Sequence, residues 1–232
     1  MKPRYLKAIF LEEANSRFIC KILKDEENIE CYISSSSKLS NYLTLENCDV
    51  LISKNKGRKL RTEYTLEAVE FKKILYYVNF NKVNELYYNL LLSSGFEAKT
   101  IHREYLVNNQ IKTDFCFQNQ GKWVCAEIKA LLCSSNKVIF PDNSSHRTER
   151  QLLQYIELLR ENIDVTFCFI AMSATITDFE LNLSKKRIKV CLAEAVSLGM
   201  KISAYSVIYN CGDFELTENR TLEENILKAI LS

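Results

Sequence analysis

The sequence predicts a mixed α+β chain in which a small antiparallel β-barrel, residues 1–77, precedes a mixed sheet flanked by helices, residues 78–232. Before residue 78, short segments with β-strand patterning are joined by polar turns, which is typical of a small barrel. After residue 78, helical and strand patterns alternate, which indicates a sheet with helices packed on it. Residues 165–171 are almost wholly apolar, as expected for a strand covered on both faces.

Hydrophobic periodicity and turn residues place the individual elements. In the first part, strands are predicted at residues 18–23, 29–33, 50–53 and 64–71. In the second part, the predicted order is helix, hairpin, helix, strand, helix, strand and helix, at residues 84–94, 111–129, 147–162, 165–171, 185–198, 202–208 and from 221 onward. Residues 221–224, Thr-Leu-Glu-Glu, read as the capping box of the last helix.

The predicted hairpin brings three charged side chains together. If Gln120–Gly121 is its two-residue turn, the glycine supplies the positive φ that such a turn needs. The antiparallel register then places Asp114 directly opposite Glu127, with β-carbons about 5 Å apart. Lys129 shares the face of Glu127, because side chains alternate along a strand.

Opposed carboxylates repel each other, so their pairing predicts a compensating cation. Lys129 supplies one positive charge, and a bound Mg²⁺ or Mn²⁺ would supply a stronger one, since such hard ions take one or two carboxylates and keep several waters. Asp114, Glu127 and Lys129 are therefore candidates for a metal-dependent phosphodiesterase site. The alternative is a solvated strand face, because an acidic residue two positions before a lysine is ordinary in a chain with 26% charged residues.

Composition limits the classes of protein to consider. With 47% hydrophobic residues, five glycines and two prolines, the chain reads as globular. No window approaches 18 uninterrupted apolar residues, so no membrane span is expected. Nine cysteines without a Cys-x-x-Cys pair argue against a structural zinc site and for reduced thiols in the cytoplasm. Cys116 and Cys125, opposite each other in the same register, are expected to fill core space, with a softer metal or a redox switch as alternatives.

The net charge of +2 gives no overall basic bias, but two basic clusters occur. The first surrounds Gly57 and contains Lys54, Lys56, Arg58, Lys59 and Arg61. The second occupies residues 185–189. Such clusters bind phosphates in nucleic-acid-binding proteins, and solvated surface loops are the alternative. We expect nucleic-acid contact more from the first cluster than from the second.

Three motifs follow one another along the second part of the chain, and together they resemble the sugar fermentation stimulation protein family. They are Thr113-Asp114-Phe115, Glu127-Ile128-Lys129, and Phe140-Pro141-Asp142 followed by Arg147 and Leu152. The resemblance runs from Arg17 to about Tyr205. It implies an OB-type barrel in the N-terminal part and a fold like that of PD-(D/E)xK nucleases in the C-terminal part.

The resemblance also implies roles for individual residues. Asp114 and Glu127 would bind Mg²⁺ or Mn²⁺, with the backbone carbonyl of Ile128 as a further ligand. Lys129 would act on the attacking water and steady the charge on the phosphate, and Arg147 would contact a phosphate. Additional candidates at the site are Glu85, Asp142 and Gln151. The alternatives are a solvent-facing side chain for Glu85 on its amphipathic helix and a turn residue that caps the following helix for Asp142.

The sequence departs from the family pattern at two places. Residues 34–37 are serines where the family usually has Pro-Asn-Thr-Gly, and Thr148 and Gln151 stand where the family usually has Gly and His. These departures concern the path of the substrate more than the metal site.

Two functional hypotheses follow. The first is a metal-dependent nuclease that cuts DNA or RNA, in which the barrel and the first basic cluster hold the nucleic acid. The second is a non-catalytic DNA-binding protein that influences the expression of sugar-metabolism genes. The apolar stripe of the last helix would pack either on its own domain or on a second copy of the chain, so the sequence is compatible with a homo-oligomer.

Overall fold

Three β-sheets and four α-helices make up the part of the chain that the structure describes. The structure is a computed structural model, and it describes residues 4–14, 18–35, 38–55, 61–108, 110–142 and 145–232. Within those ranges, no helix is long and apolar enough to cross a membrane. The division of the chain at residue 77 and the oligomeric state stay predictions.

The N-terminal part is a closed five-stranded barrel, which confirms the predicted barrel. Its strands are β1 Leu6–Glu13, β2 Ile19–Lys24, β3 Glu27–Tyr32, β4 Asp49–Lys54 and β5 Tyr64–Phe71. β1 pairs with both β2 and β4, and the other antiparallel pairs are β2 with β3 and β4 with β5. A short parallel pairing of β3 with β5 closes the barrel. This connectivity fits an OB-like domain.

A sixth strand leads from the barrel to the second part of the chain. β6, Ile74–Tyr77, pairs with β5, and the Tyr77 amide donates to the Met172 carbonyl at 2.8 Å. Helix α1, Val83–Ser93, follows, and Gly95 lies just beyond its end with φ +92°. The helix matches its predicted position within one residue at each end.

The second part is a six-stranded mixed sheet with strand order β14-β13-β11-β9-β8-β7. Its strands are β7 Ile101–Val107, β8 Ile111–Asn119, β9 Lys122–Leu131, β11 Asp164–Ala171, β13 Lys201–Asn210 and β14 Asp213–Glu218. The three central strands β9, β11 and β13 run parallel, and the outer pairings are antiparallel. Two short strands, β10 Lys137–Phe140 and β12 Asp178–Leu181, form a separate parallel pair.

Helices cover both faces of this sheet. Helix α1 and the barrel share one apolar core on the first face. On the second face, α2 Ser145–Arg160, α3 Lys186–Ser197 and α4 Arg220–Leu231 enclose another. Strand β11 contributes Cys168 and Ile170 to the first core and Phe167 and Phe169 to the second. It is therefore buried on both faces, as its apolar sequence predicts.

The start of α4 differs from its prediction. The N-cap is Asn219 and not a capping box at Thr221, because the Asn219 Oδ1 accepts the Leu222 amide at 3.0 Å. The Asn219 Nδ2 also donates to the Ile176 carbonyl at 2.9 Å, so the cap is tied to the body of the protein. The bond to Ile176 favours Asn219 over Thr221 as the N-cap, and a local sequence motif cannot predict such a tertiary bond.

Candidate functional site

The hairpin of β8 and β9 has the predicted turn and register. Gln120 and Gly121 have φ values of +48° and +78°, as a two-residue turn with two left-handed positions requires. The ladder runs from Phe115 opposite Ala126 to Asn119 opposite Lys122. Cys116 and Cys125 face each other within it, with Sγ atoms 3.4 Å apart in the core.

Asp114 lies immediately beyond this ladder, where its side chain, and not a backbone carbonyl, accepts the next backbone amide of β9. Its Oδ2 accepts the Ile128 amide at 2.8 Å, which fixes the carboxylate beside the Glu127–Lys129 segment. Its Oδ1 accepts the Asn84 Nδ2 of α1 at 3.4 Å. The carboxylate is thus held between the second strand of the hairpin and a helix on the barrel side of the sheet.

Glu127 is almost fully buried, at 3% exposure, and both of its oxygens are bonded. Its Oε1 accepts the Lys129 Nζ at 2.6 Å and the Gln151 Nε2 at 2.8 Å. Its Oε2 accepts the Tyr155 hydroxyl. The Lys129 Nζ also donates to the Gln151 Oε1 at 2.9 Å, which closes a ring of three side chains. Burial of a charged carboxylate requires such partners.

The charges at the site act on one another. Burial, followed by the negative charge of Glu127, raises the pKa of Asp114 above its usual value, although the Ile128 amide and Lys129 act in the opposite direction. Burial and then Glu127 likewise raise the pKa of the Tyr155 hydroxyl. The fold therefore disfavours the ionised form of Asp114 unless a further positive charge is present.

A cleft of about 720 Å³ opens over these groups. Its lining consists of polar and charged side chains: Glu104, Gln110, Lys112, Thr113, Asp114, Glu127, Arg147, Arg150, Gln151 and Gln154. The predicted residues Arg147 and Gln151 are therefore brought to Asp114 and Glu127. Arg150 and Gln154 were missed, although their spacing of three and seven residues from Arg147 places all three on one helix face.

Two of the additional candidates lie elsewhere. Glu85 lines a different cleft beside the barrel, and the preceding residue Asn84 reaches Asp114 instead, because successive residues of a helix point in different directions. Asp142 accepts the Tyr42 hydroxyl at 2.6 Å and so bonds to the barrel. Neither carboxylate lines the cleft over Asp114, so the structure does not bring these two candidates to the site.

The cleft beside the barrel has a volume of about 750 Å³. Lys54 and Arg61, from the first basic cluster, line it together with Phe18 and Tyr32. The rings of Phe18 and Tyr32 stack with centroids 6.3 Å apart and an interplanar angle of 23°. Tyr64 is buried in the barrel core. Three predicted nucleic-acid-binding residues, Lys56, Arg58 and Lys59, lie outside the described residues, as do Ser36 and Ser37.

The donor atoms at the site suit a hard divalent ion. Among the described residues, no group of three or more His, Cys, Asp and Glu side chains could hold a metal ion. The predicted ion would have to take the oxygens of two carboxylates, Asp114 and Glu127, together with the backbone carbonyl of Ile128 and water. Magnesium typically uses such a set of one or two carboxylates with several waters.

These features define a class of protein in which an OB-like barrel precedes a mixed sheet that carries two carboxylates and a lysine at the end of a hairpin. A family model described as the sugar fermentation stimulation protein RE domain matches residues 81–212. This match covers more than half of the chain. The chain belongs to the sugar fermentation stimulation protein family.

Individual relatives agree with this assignment. A sugar fermentation stimulation protein homolog of Thermosipho melanesiensis is 28% identical over 202 residues, which cover 84% of this chain and 83% of the relative. A homolog of Clostridium perfringens strain SM101 is 25% identical over 211 residues, which cover 88% and 89%. The solved structure of Pyrococcus furiosus SfsA in complex with Ca²⁺ matches with a TM-score of 0.73 and 19% identity, over 94% of this chain and 95% of that one.

Proposed function

We propose that this protein is a metal-dependent nuclease that hydrolyses phosphodiester bonds, with Asp114, Glu127 and Lys129 at its centre. One observation carries the proposal: Asp114 and Glu127 line a polar cleft together with Arg147 and Arg150, and the Lys129 ammonium bonds to Glu127 at 2.6 Å. Burial, together with the repulsion between the two neighbouring carboxylates, raises the pKa of Asp114, and a bound cation would remove the cost of this repulsion, as a metal site requires. The arginines suit the phosphates of a substrate.

Asp114, Glu127 and the Ile128 carbonyl are the groups that would hold the ion. When bound, a divalent ion lowers the pKa of a coordinated water and polarises a phosphoryl oxygen. The complex of Pyrococcus furiosus SfsA with Ca²⁺, a hard ion that prefers oxygen ligands, supports an all-oxygen site in a protein of the same fold. Mg²⁺ and Mn²⁺ are the ions that we expect for catalysis here.

The side chains of the site have distinct tasks in this proposal. Lys129, fixed by Glu127 and Gln151, places an ammonium where negative charge builds on the phosphate. Tyr155 orients the far oxygen of Glu127. Asn84 and the Ile128 amide orient Asp114. Most of the protein's contribution is accurate placement of these groups before the substrate arrives.

The barrel cleft supports a nucleic-acid partner. Phe18 is 43% exposed and stacked on Tyr32, and exposed aromatic rings of this kind bind bases in OB-type barrels. Lys54 and Arg61 at the same cleft are 68% and 70% exposed in their side chains, so they are accessible to phosphates. Both pair with glutamates in the free protein, and a bound phosphate would compete with those carboxylates.

A second candidate function rests on the closed ring around Glu127. Lys129, Gln151 and Tyr155 satisfy both oxygens of this carboxylate without an ion. A site that is complete in this way is compatible with a DNA-binding protein that does not cut and that influences sugar-metabolism genes. The two functions predict the same binding and different chemistry.

Cleavage of labelled single-stranded and double-stranded DNA and RNA, in EDTA, Mg²⁺ or Mn²⁺, separates them. We expect metal-dependent cutting by the wild type, its loss in Asp114→Asn and Lys129→Ala, and its retention in Asp142→Asn. The last variant is the matched control, because Asp142 is a carboxylate outside the cleft. Binding without cutting in the wild type, or equal cutting in all variants, would remove the nuclease proposal.

A further inference from the structure

Three aromatic side chains form a surface cluster on strands β7 and β9. Ring centroids are 5.2 Å apart for His102 and Tyr105, 5.7 Å for His102 and Trp123, and 6.3 Å for Tyr105 and Trp123. The last two rings are nearly parallel, at 8°. Tyr105 is 38% and Trp123 40% exposed. The cluster therefore presents an exposed aromatic surface.

The cluster begins where the cleft over Asp114 ends. Tyr105 pairs directly with Thr113 on β8, and the Thr113 Oγ1 donates to the Tyr105 carbonyl at 3.4 Å. Thr113 lines the cleft and precedes Asp114 in the chain. Trp123 lies four residues before Glu127 on the same strand, about 13 Å away along β9. A chain that leaves the cleft along the hairpin therefore passes over these rings.

The surroundings of the rings favour a nucleic acid over a second copy of the protein. The side chains of Lys112 and Lys122 are exposed, and Lys122 precedes Trp123 in the chain. Lys112 lines the cleft, where its Nζ pairs with the Glu104 Oε2 at 2.7 Å, and a bound phosphate would compete with that carboxylate. Parallel rings offer a flat face of the kind on which bases stack, and such stacking is tolerant of base identity.

We propose that His102, Tyr105 and Trp123 form a base-stacking platform for unpaired nucleotides of a strand whose phosphate lies in the Asp114 cleft. The inference rests on the proposed nuclease function and deepens it, because it names single-stranded nucleic acid, or a single-stranded tail, as the substrate. Paired bases keep their faces inside the duplex and cannot stack on the platform. An unpaired base exposes a whole ring face to it.

Trp123 is the only tryptophan in the chain, so its fluorescence reports on the platform alone. We would titrate the full-length protein in EDTA, where no cutting is expected, with a 12-nucleotide single strand, the same sequence as a duplex, and an abasic oligonucleotide of equal length and charge. We expect saturable quenching by the single strand and little by the other two. Tyr105→Ala should raise the dissociation constant of the single strand roughly tenfold. Tyr209→Ala, at a tyrosine that is 44% exposed on β13, should not.

The outcomes separate the platform from the nuclease. Quenching by the single strand in a protein that never cuts would support the platform and remove the nuclease. Equal quenching by the abasic strand, or an unchanged affinity in Tyr105→Ala, would overturn the platform even if cutting is observed. Sedimentation that shows a dimer in the wild type and a monomer in Tyr105→Ala would also overturn it, since a second copy would then occupy the rings.

Discussion

Asp114→Asn is expected to stabilise the metal-free protein and to abolish its stabilisation by divalent ions. The substitution removes a negative charge from a site that already holds Glu127, and it keeps the size of the side chain. An asparagine oxygen still accepts the Ile128 amide, which the aspartate accepts at 2.8 Å. The amide of Asn84 can rotate to accept from the new NH₂ group. The change therefore isolates the charge of the carboxylate from its shape.

The magnitude follows from the charges at the site. Two unit charges about 5–8 Å apart repel by roughly 2–3 kcal/mol at an effective dielectric constant of about 20. Lys129, whose Nζ lies 2.6 Å from the Glu127 Oε1, offsets much of this repulsion. We expect a net gain in the free energy of unfolding of about 1 kcal/mol at neutral pH in EDTA. A saturating ion should stabilise the wild type by about 2.7 kcal/mol at one hundred times its dissociation constant and the variant much less.

The pH dependence of stability is a second test of whether Asp114→Asn stabilises the metal-free protein. The pKa of Asp114 is raised in the folded protein, so folding favours its protonated form. Its favourable contribution to stability is fully present below the ordinary pKa of 3.8 and is lost as the pH rises through the raised value. The advantage of Asp114→Asn over the wild type should therefore grow as the pH rises from about 4 and level off at neutral pH.

Urea unfolding between pH 4 and pH 8, in EDTA and in Mg²⁺, measures both effects. Asp142→Asn is the control, because it makes the same chemical change at a carboxylate that accepts the Tyr42 hydroxyl and does not line the cleft. A variant less stable than the wild type in EDTA at neutral pH would refute the reasoning about repulsion. Equal stabilisation of wild type and variant by Mg²⁺ would show that the ion binds elsewhere.

Two further substitutions test the network and the fold. Tyr155→Phe removes the donor to the buried oxygen of Glu127 and should lower the free energy of unfolding by about 1.5–3 kcal/mol. Tyr42→Phe, which removes the donor of an exposed hydrogen bond, should lower it by less. Equal losses in urea unfolding would argue that burial does not strengthen the Tyr155 bond. Asn219→Ala should lower the free energy of unfolding by about 1–2 kcal/mol through loss of the α4 cap. Thr221→Ala should change it by less than about 0.5 kcal/mol. A larger loss in Thr221→Ala than in Asn219→Ala would support the predicted capping box at Thr221.

The parts of the fold that were predicted are those with local signals. The hairpin combines alternation of period two with a glycine at a left-handed turn position, and both fix the register without tertiary information. The turn at Cys211–Gly212 has the same chemistry, with φ values of +50° and +87°, yet strand β14 beyond it was missed. The turns at Asp25–Glu26 and Lys72–Lys73 also have positive φ at both residues but no glycine, so the sequence gives little warning of them. Strand β6, which follows the second of these turns, was accordingly missed.

The candidate site was predicted where it depends on one strand pair and missed where it depends on packing between layers. The hairpin register predicted that Asp114, Glu127 and Lys129 come together. The direct Asp114–Glu127 pair is not part of the observed ladder, which ends at Phe115 opposite Ala126, and Asp114 instead accepts the Ile128 amide. Whether Asn84 or Glu85 reaches Asp114 depends on the rotation of α1 against the sheet, which no local pattern specifies. Tyr155 lies beside Leu152 and Ile156 on the buried face of α2, where its aromatic ring is typical of a core residue, and it is 1% exposed. The role of its hydroxyl, which donates to Glu127, can be recognised only when the position of β9 under the helix is known.

The supports of the two carboxylates come from opposite faces of the sheet. Asn84 holds Asp114 from α1, which packs in the core shared with the barrel, and Tyr155 holds Glu127 from α2 in the other core. The Ile128 amide, at 2.8 Å, holds Asp114 beside Glu127, and each helix layer adds a further support to one of the two carboxylates. An ion that requires both carboxylates would therefore bind best when both layers are packed. For this reason the barrel side of the molecule contributes to the geometry of the site as well as to any contact with nucleic acid.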